Sequence, residues 1–125
     1  MFKFSRQLYS KHITFVKKIN KDGSTCKKCS DVFDKMKSND ILKYISSIET
    51  IDERIKDPNQ LGILYSQKYN IKYAPFFIAK DDDNDDNVRV YKYYTEFLNK
   101  ELNIKANKKQ EIEDMFDKNY SNDLL

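Results

Sequence analysis

The apolar positions of the chain change period along its length, and each change predicts an element. Ile13 to Ile19, reading ITFVKKI, is β-branched and aromatic and predicts a strand. Lys21-Asp22-Gly23-Ser24 carries an Asp-Gly pair and predicts a turn. Ser24 or Thr25 is then placed to cap a helix that opens at Cys26. In that helix Cys29, Val32, Phe33 and Met36 recur at three- and four-residue steps and form one inward stripe. Ser38-Asn39-Asp40 breaks it, Ile41 to Ile45 predicts a single helical turn, and Ile45 to Ile51 a second strand. Asp57-Pro58-Asn59-Gln60 predicts a helix start: Asp57 caps, Pro58 takes the first helical position and Gln60 closes a capping box. Leu61, Leu64, Tyr65, Lys68 and Tyr69 follow a helical period after it. Ala74 to Ile78 predicts a short buried strand with Pro75 at its mouth, because proline has no N–H to give to the middle of a ladder. Asp81 to Asn87, DDDNDDN, predicts a polar hairpin loop. Val88 to Tyr91 is then the returning strand, and Tyr94 to Leu102 a helix with Phe97 and Leu98 inward.

The order strand, helix, strand, helix, strand, strand, helix predicts an α/β fold, a central mixed four-stranded sheet flanked by helices on both faces. Residues 1–11 lack a clean period and are expected to be an arm or short helix, with the domain over 12–102. In residues 103–125, Ile112, Met115 and Phe116 stand at helical spacing and predict a C-terminal helical extension.

A chain of 125 residues is one domain, large enough to fold without metal or disulfide staples. Aromatic content of 14% and hydrophobic content of 39% exclude a disordered chain. Lys+Arg of 23 against Asp+Glu of 20 excludes the basic excess of a dedicated nucleic-acid binder. The longest apolar run, Ala74 to Ala79, is too short to span a bilayer. Lys3, Arg6 and Lys11 interrupt the N-terminus and leave no apolar signal core. A cytoplasmic protein with no membrane or nucleic-acid partner is therefore expected. Both cysteines, Cys26 and Cys29, sit together, which points to redox or metal chemistry rather than a spread disulfide framework.

Cys26-Lys27-Lys28-Cys29 follows a strand and opens a helix. A helix start presents unpaired N–H groups and a partial positive charge, which stabilise a thiolate. Lys27 and Lys28 would add charge nearby, so Cys26 is expected to titrate below an ordinary thiol and to attack a disulfide. Cys29, a turn further in, would then attack the mixed disulfide and release the product. Three other readings stand beside this one. Zinc needs about four ligands, and Cys26, Cys29 and His12 fall short within one chain. Two inert buried cysteines conflict with the Lys-Lys pair between them. A static disulfide conflicts with a reducing compartment.

Pro75, in Tyr73-Ala74-Pro75-Phe76-Phe77, follows a helix and opens a strand. Together with a C-x-x-C at the start of the first helix, this resembles the thioredoxin-like superfamily over residues 12–102. The segment Asp22 to Val32, DGSTCKKCSDV, looks most like small glutaredoxin-like or thioredoxin-like domains. The resemblance implies a thiol–disulfide oxidoreductase with Cys26 and Cys29 as catalytic residues. It implies a cis bond before Pro75, and substrate binding by Thr25, Ala74 and Pro75. Its substrate would be a disulfide-containing protein or a small disulfide. No tightly bound cofactor is implied; a thiol reductase system or glutathione would supply electrons. The alternative is a non-catalytic module of the same fold that docks to a partner enzyme. The chain departs from thioredoxins in lacking Trp before Cys26, Gly-Pro between the cysteines and an acidic residue in the first strand. It departs from glutaredoxins in having Tyr73-Ala74 before Pro75 and no glycine after Gly62.

Other features read as structural. His12 is expected on the surface ahead of the first strand. DDDNDDN lacks the central Gly and terminal Glu of an EF-hand loop. Most Tyr and Phe positions are core-facing, while Tyr91, Tyr93 and Tyr94 could form a partly exposed partner surface.

Overall fold

Alternation along the strands decides the architecture, since neighbouring side chains point to opposite faces of a sheet. The computed structural model describes residues 11–82 and 84–105. Of the arm or short helix expected over residues 1–11, residues 1–10 lie outside the described residues and Lys11 opens the first strand; of the helical extension expected over 103–125, residues 106–125 lie outside them and 103–105 are not helical. Four strands are present: β1 Lys11–Ile19, β2 Ser47–Asp52, β3 Phe76–Asp81 and β4 Asn84–Tyr91. Three α-helices accompany them: α1 Lys27–Ser38, α2 Leu61–Lys68 and α3 Tyr94–Lys100, with a 3-10 turn at Leu42–Tyr44. The sheet order is β2-β1-β3-β4. β1 and β2 are parallel, while β3 runs antiparallel to both β1 and β4. The mixed four-stranded sheet expected from the sequence is present.

Ile13 and Phe15 of β1 and Phe77 and Ala79 of β3 point to one face. There they meet Val32 and Met36 of α1 and Phe97 and Leu98 of α3. Phe77 and Phe97 stack with centroids 4.2 Å apart. The alternate residues Val16, Phe76 and Ile78 form the opposite cluster with Ile51 and Ile71, against which Ile63, Tyr65 and Tyr69 pack. Helices thus cover both faces, as patterning requires.

The second helix departs from expectation. It starts at Leu61, not at Pro58, with Gln60 at its N-cap. The Asp57 carboxylate accepts from the Asn59 N–H at 2.9 Å and closes a local turn. Gln60 does not close a capping box, because its side chain is spent on the loop: its Oε1 accepts from the Asp52 N–H and its Nε2 donates to the Asp52 and Ile55 carbonyls. Leu61 and Leu64 are 43% and 41% exposed, so they are not the buried stripe. Gly62 and Ser66 face inward instead. A Cβ on Gly62 would lie 2.6 Å from Ile51 Cγ1, so the missing side chain lets the helix approach the sheet.

Three further boundaries move. His12 lies within β1, exposed, with Nε2 3.0 Å from Ser47 Oγ. β4 begins at Asn84, so much of the acidic run is strand rather than loop. Tyr91 is buried against Phe97 and Tyr94 against Phe77, and only Tyr93 of the three is partly exposed. Among the described residues no helix is long and apolar enough to cross a membrane.

Candidate active site

The turn after β1 delivers the first cysteine. Gly23 takes φ +89°, a conformation glycine adopts without steric cost. The Asp22 carboxylate accepts from the Ser24 N–H and hydroxyl at 2.9 and 2.6 Å. Ser24 is therefore occupied in the turn and does not cap the helix. Thr25 is exposed and forms an isolated bridge with Ile19. The N-cap is Cys26 itself, without a side-chain cap bond. Its N–H donates to the Lys18 carbonyl of β1 at 3.0 Å, and its carbonyl accepts from Ser30 N–H at 2.9 Å. Cys26 is thus tied to the strand on one side and to the first helical turn on the other.

Cys26, Cys29 and Ala74 form one buried cluster. The two thiols are free, and 1% and 0% exposed. The sequence placed Cys26 in a more open setting than this, reasoning from the Lys-Lys pair. The pair divides instead: Lys27 is exposed, while Lys28 is 5% exposed. The Ala74–Pro75 bond is cis, as the resemblance implies, and Ala74 and Pro75 are both buried beside the cysteines or the adjoining cleft.

The two thiols are driven apart electrostatically. Hydrogen bonding from the Cys29 thiol lowers the Cys26 pKa from an ordinary 9.0 to about 6, against the opposing effect of burial. The backbones of Cys29 and Lys28 and the charge of Lys18 act in the same lowering direction. Cys29 is pushed up, first by its bond to Cys26, then by burial and by the Cys26 charge. Such a split creates one nucleophile and one proton-holding partner. What Lys28 gives Cys26 is a backbone hydrogen bond. The ammonium acting on the pair is that of Lys18, a residue the sequence reading did not single out. Its signal was weak: a second lysine in an otherwise apolar strand.

A cleft of about 250 Å³ opens beside the pair, lined in part by Lys28, Lys72, Tyr73, Pro75, Lys92 and Tyr93. It brings together Lys28, Ala74 and Pro75 of the expected site residues; Cys26, Cys29, Thr25 and Lys27 do not line it. Tyr73 is exposed at its edge. No group of three or more His, Cys, Asp or Glu among the described residues could hold a metal ion. No protein-family model matches the chain, nor does any curated protein or solved structure.

Proposed function

We propose that this chain is a thiol–disulfide oxidoreductase of thioredoxin-like fold, with Cys26 as the attacking thiol and Cys29 as the resolving thiol. The observation that carries this reading is the opposed titration of two clustered thiols at a helix start. Ala74, packed against both cysteines, and Pro75 beside it line the adjoining cleft, which supports this segment as a place for an extended substrate.

The Cys26 thiolate attacks one sulfur of a substrate disulfide. A Cys26–substrate S–S bond forms, the substrate S–S bond breaks, and the departing thiolate takes a proton from water. Cys29 gives up its proton and attacks Cys26 Sγ. The Cys26–Cys29 disulfide forms, and the second substrate sulfur leaves as a thiolate and is protonated. The substrate is reduced by two electrons and the cysteine pair is oxidised by two. A monothiol such as glutathione, or a dithiol reductase, returns them. Lys28, Lys72 and Lys92 along the cleft favour a disulfide or thiol that carries carboxylates.

Burial of Cys26 favours a second reading, in which the cysteines are idle and the domain docks to a partner enzyme. Insulin-disulfide reduction by dithiothreitol separates the two. Catalysis that disappears in Cys26→Ser supports the oxidoreductase. Wild-type turnover no faster than dithiothreitol alone overturns it in favour of the docking module.

A further inference from the structure

A second cleft opens at the other end of β1 from the cysteines, on the sheet face that α2 covers. It encloses about 400 Å³, within the roughly 300–1,000 Å³ of small-molecule sites. His12 stands in it, and Lys18, whose carbonyl holds Cys26, lies about 20 Å further along the same strand. The two clefts share no lining residue.

Strand alternation builds the floor. His12, Thr14 and Val16 share one face of β1, and Lys80 and Ile78 of β3 pair with His12 and Thr14. Thr14 and Ile78 are 5% and 6% exposed and close the bottom. Ser47 Oγ lies 3.0 Å from His12 Nε2 and 2.9 Å from Thr14 Oγ1. Ser47 therefore fixes the imidazole through one nitrogen and leaves Nδ1 for another partner. Tyr65 and Tyr69, at the end of α2, form the wall, with ring centroids 6.5 Å apart and planes tilted by 33°. Neither phenol hydroxyl bonds another group among the described residues. Lys68 holds its ammonium 5.4 Å from the Tyr69 centroid. Lys80 and Asp82 are exposed at the rim, and Asp81 bonds Arg89 at 3.0 Å.

Ammonium and carboxylate groups thus occur around one cleft, and a ligand of either net charge would meet its like. A second cation over Tyr69 would also be repelled by Lys68. A neutral hydroxyl both donates and accepts, so it can use ammonium, carboxylate, imidazole and phenol alike. The faces of tyrosine rings carry partial negative charge and suit the C–H faces of a saturated ring. We infer that this cleft binds a carbohydrate of one or two neutral sugar units, stacked on Tyr65 and Tyr69 and hydrogen-bonded by His12, Lys68 and Asp82. The site lies beyond the thiol chemistry and does not depend on it.

The test is a titration of the full chain with maltose and with cellobiose, followed by amide chemical shifts, with glycylglycine as a zwitterionic control. Saturable shifts at His12, Thr14, Tyr65, Tyr69 and Ile78 are expected with at least one sugar, with a dissociation constant on the order of 1–10 mM. The Cys26 and Cys29 amides are expected to stay in place. Tyr65→Leu keeps an apolar side chain in the wall and is expected to weaken binding about threefold to tenfold. Lys68→Met changes an exposed side chain and is expected to weaken it about threefold or more. Shifts that stay linear and unsaturated with both sugars overturn the inference, as do shifts centred on Tyr73 and Tyr93 instead. Saturable shifts at the same amides from glycylglycine and from neither sugar give the cleft to a zwitterion and overturn it too. A folded Tyr65→Leu protein that binds as tightly as wild type also overturns it. If Tyr65→Leu does not fold, Lys68→Met decides in the same way. Binding is read without turnover, so failure to reduce insulin leaves this inference untouched.

Discussion

Two buried ionisable groups stand at opposite ends of β1, and they are stabilised by different means. At the Lys11 end, the Glu101 carboxylate is 3% exposed. It accepts from Lys11 Nζ at 2.7 Å, Arg89 Nε and Nη2 at 2.8 and 2.9 Å, and Tyr91 OH at 2.8 Å. Burial pushes its pKa up, but these donors outweigh burial and hold it at about 2. At the Lys18 end, Cys26 is as deeply buried, yet its largest stabiliser is a neutral thiol, followed by backbone groups and last by one ammonium. A charge locked by direct cations cannot be removed without stranding them. A charge held mainly by neutral donors can vanish into an S–S bond at small cost. The first arrangement joins β1, β4 and the end of α3; the second suits a group that must change its charge.

The largest effect breaks the cysteine end outright. Cys26→Ser should abolish disulfide exchange, because the hydroxyl is a far weaker nucleophile and is not ionised near neutrality. Cys29→Ser should instead accumulate a mixed disulfide on Cys26, since the resolving thiol is gone. Mass spectrometry after exposure to oxidised glutathione would read both. A stable adduct on Cys29 in the Cys26→Ser protein, formed as fast as on Cys26 in Cys29→Ser, would reverse the assigned roles.

Glu101→Gln is the matching break at the other end. It leaves Lys11 and Arg89 without their shared carboxylate and should cost about 3 kcal/mol. The acid dependence has a definite sign. The folded pKa of Glu101, about 2, lies below its ordinary 4.5, so its contribution is present above pH 4.5 and is lost as pH falls toward 2. The shift corresponds to about 3 kcal/mol, and denaturant melts of wild type between these pH values should show a loss of that order. In Glu101→Gln that part of the pH dependence should flatten. Equal slopes in the two proteins would mean that Glu101 is not the group being titrated.

The elements that carry this contrast were visible in the sequence more than the contrast itself, for reasons tied to how local each signal is. Strand β1 follows from its β-branched and aromatic residues, and the stripe of α1 and Phe97 with Leu98 in α3 from helical period, because burial on one helix face imposes it. Cys26 at a helix start follows from the turn chemistry of Asp22-Gly23. The start of α2 did not, because Gln60 had a competing use in binding the loop at Asp52 and Ile55. Neither did its inward face, which depends on how closely Gly62 approaches Ile51. The Glu101 cluster joins residues far apart in the chain, and no spacing rule connects Lys11 to Arg89 and Glu101. Lys18 was missed for the same reason: its burial is set by the strands and the helix start assembled around it.

Gly62→Ala gives a smaller, purely mechanical perturbation that should leave both charged sites as they are. The added Cβ would meet Ile51 Cγ1 at 2.6 Å and Val16 Cγ1 at 3.3 Å. Overpacking of this kind costs about 1–3 kcal/mol, offset by up to about 1 kcal/mol of improved helix propensity. A net loss of about 1–2 kcal/mol in denaturant melts is expected, with the Cys26 labelling profile unchanged. A profile that moves with Gly62→Ala would show that the thiol chemistry is coupled to packing on the α2 face.

The smallest expected effect sharpens the comparison most, because it concerns a charge that lies close in sequence and outside in space. Labelling of wild-type Cys26 should rise through pH about 6. Lys27 is adjacent to Cys26 but exposed, so water and salt separate its ammonium from the buried sulfur. Lys27→Gln should therefore shift the labelling profile by less than about 0.3 units at low salt, and by nothing measurable near 1 M. The backbone hydrogen bonds that Cys29 and Lys28 give Cys26 do not depend on the side chain at 27. A shift of a full unit in Lys27→Gln, erased by salt, would mean that the Cys26 sulfur meets solvent far more than its burial allows. The cysteine end would then be an ordinary surface thiolate, and its contrast with the sealed carboxylate of Glu101 would be one of exposure rather than of donor type.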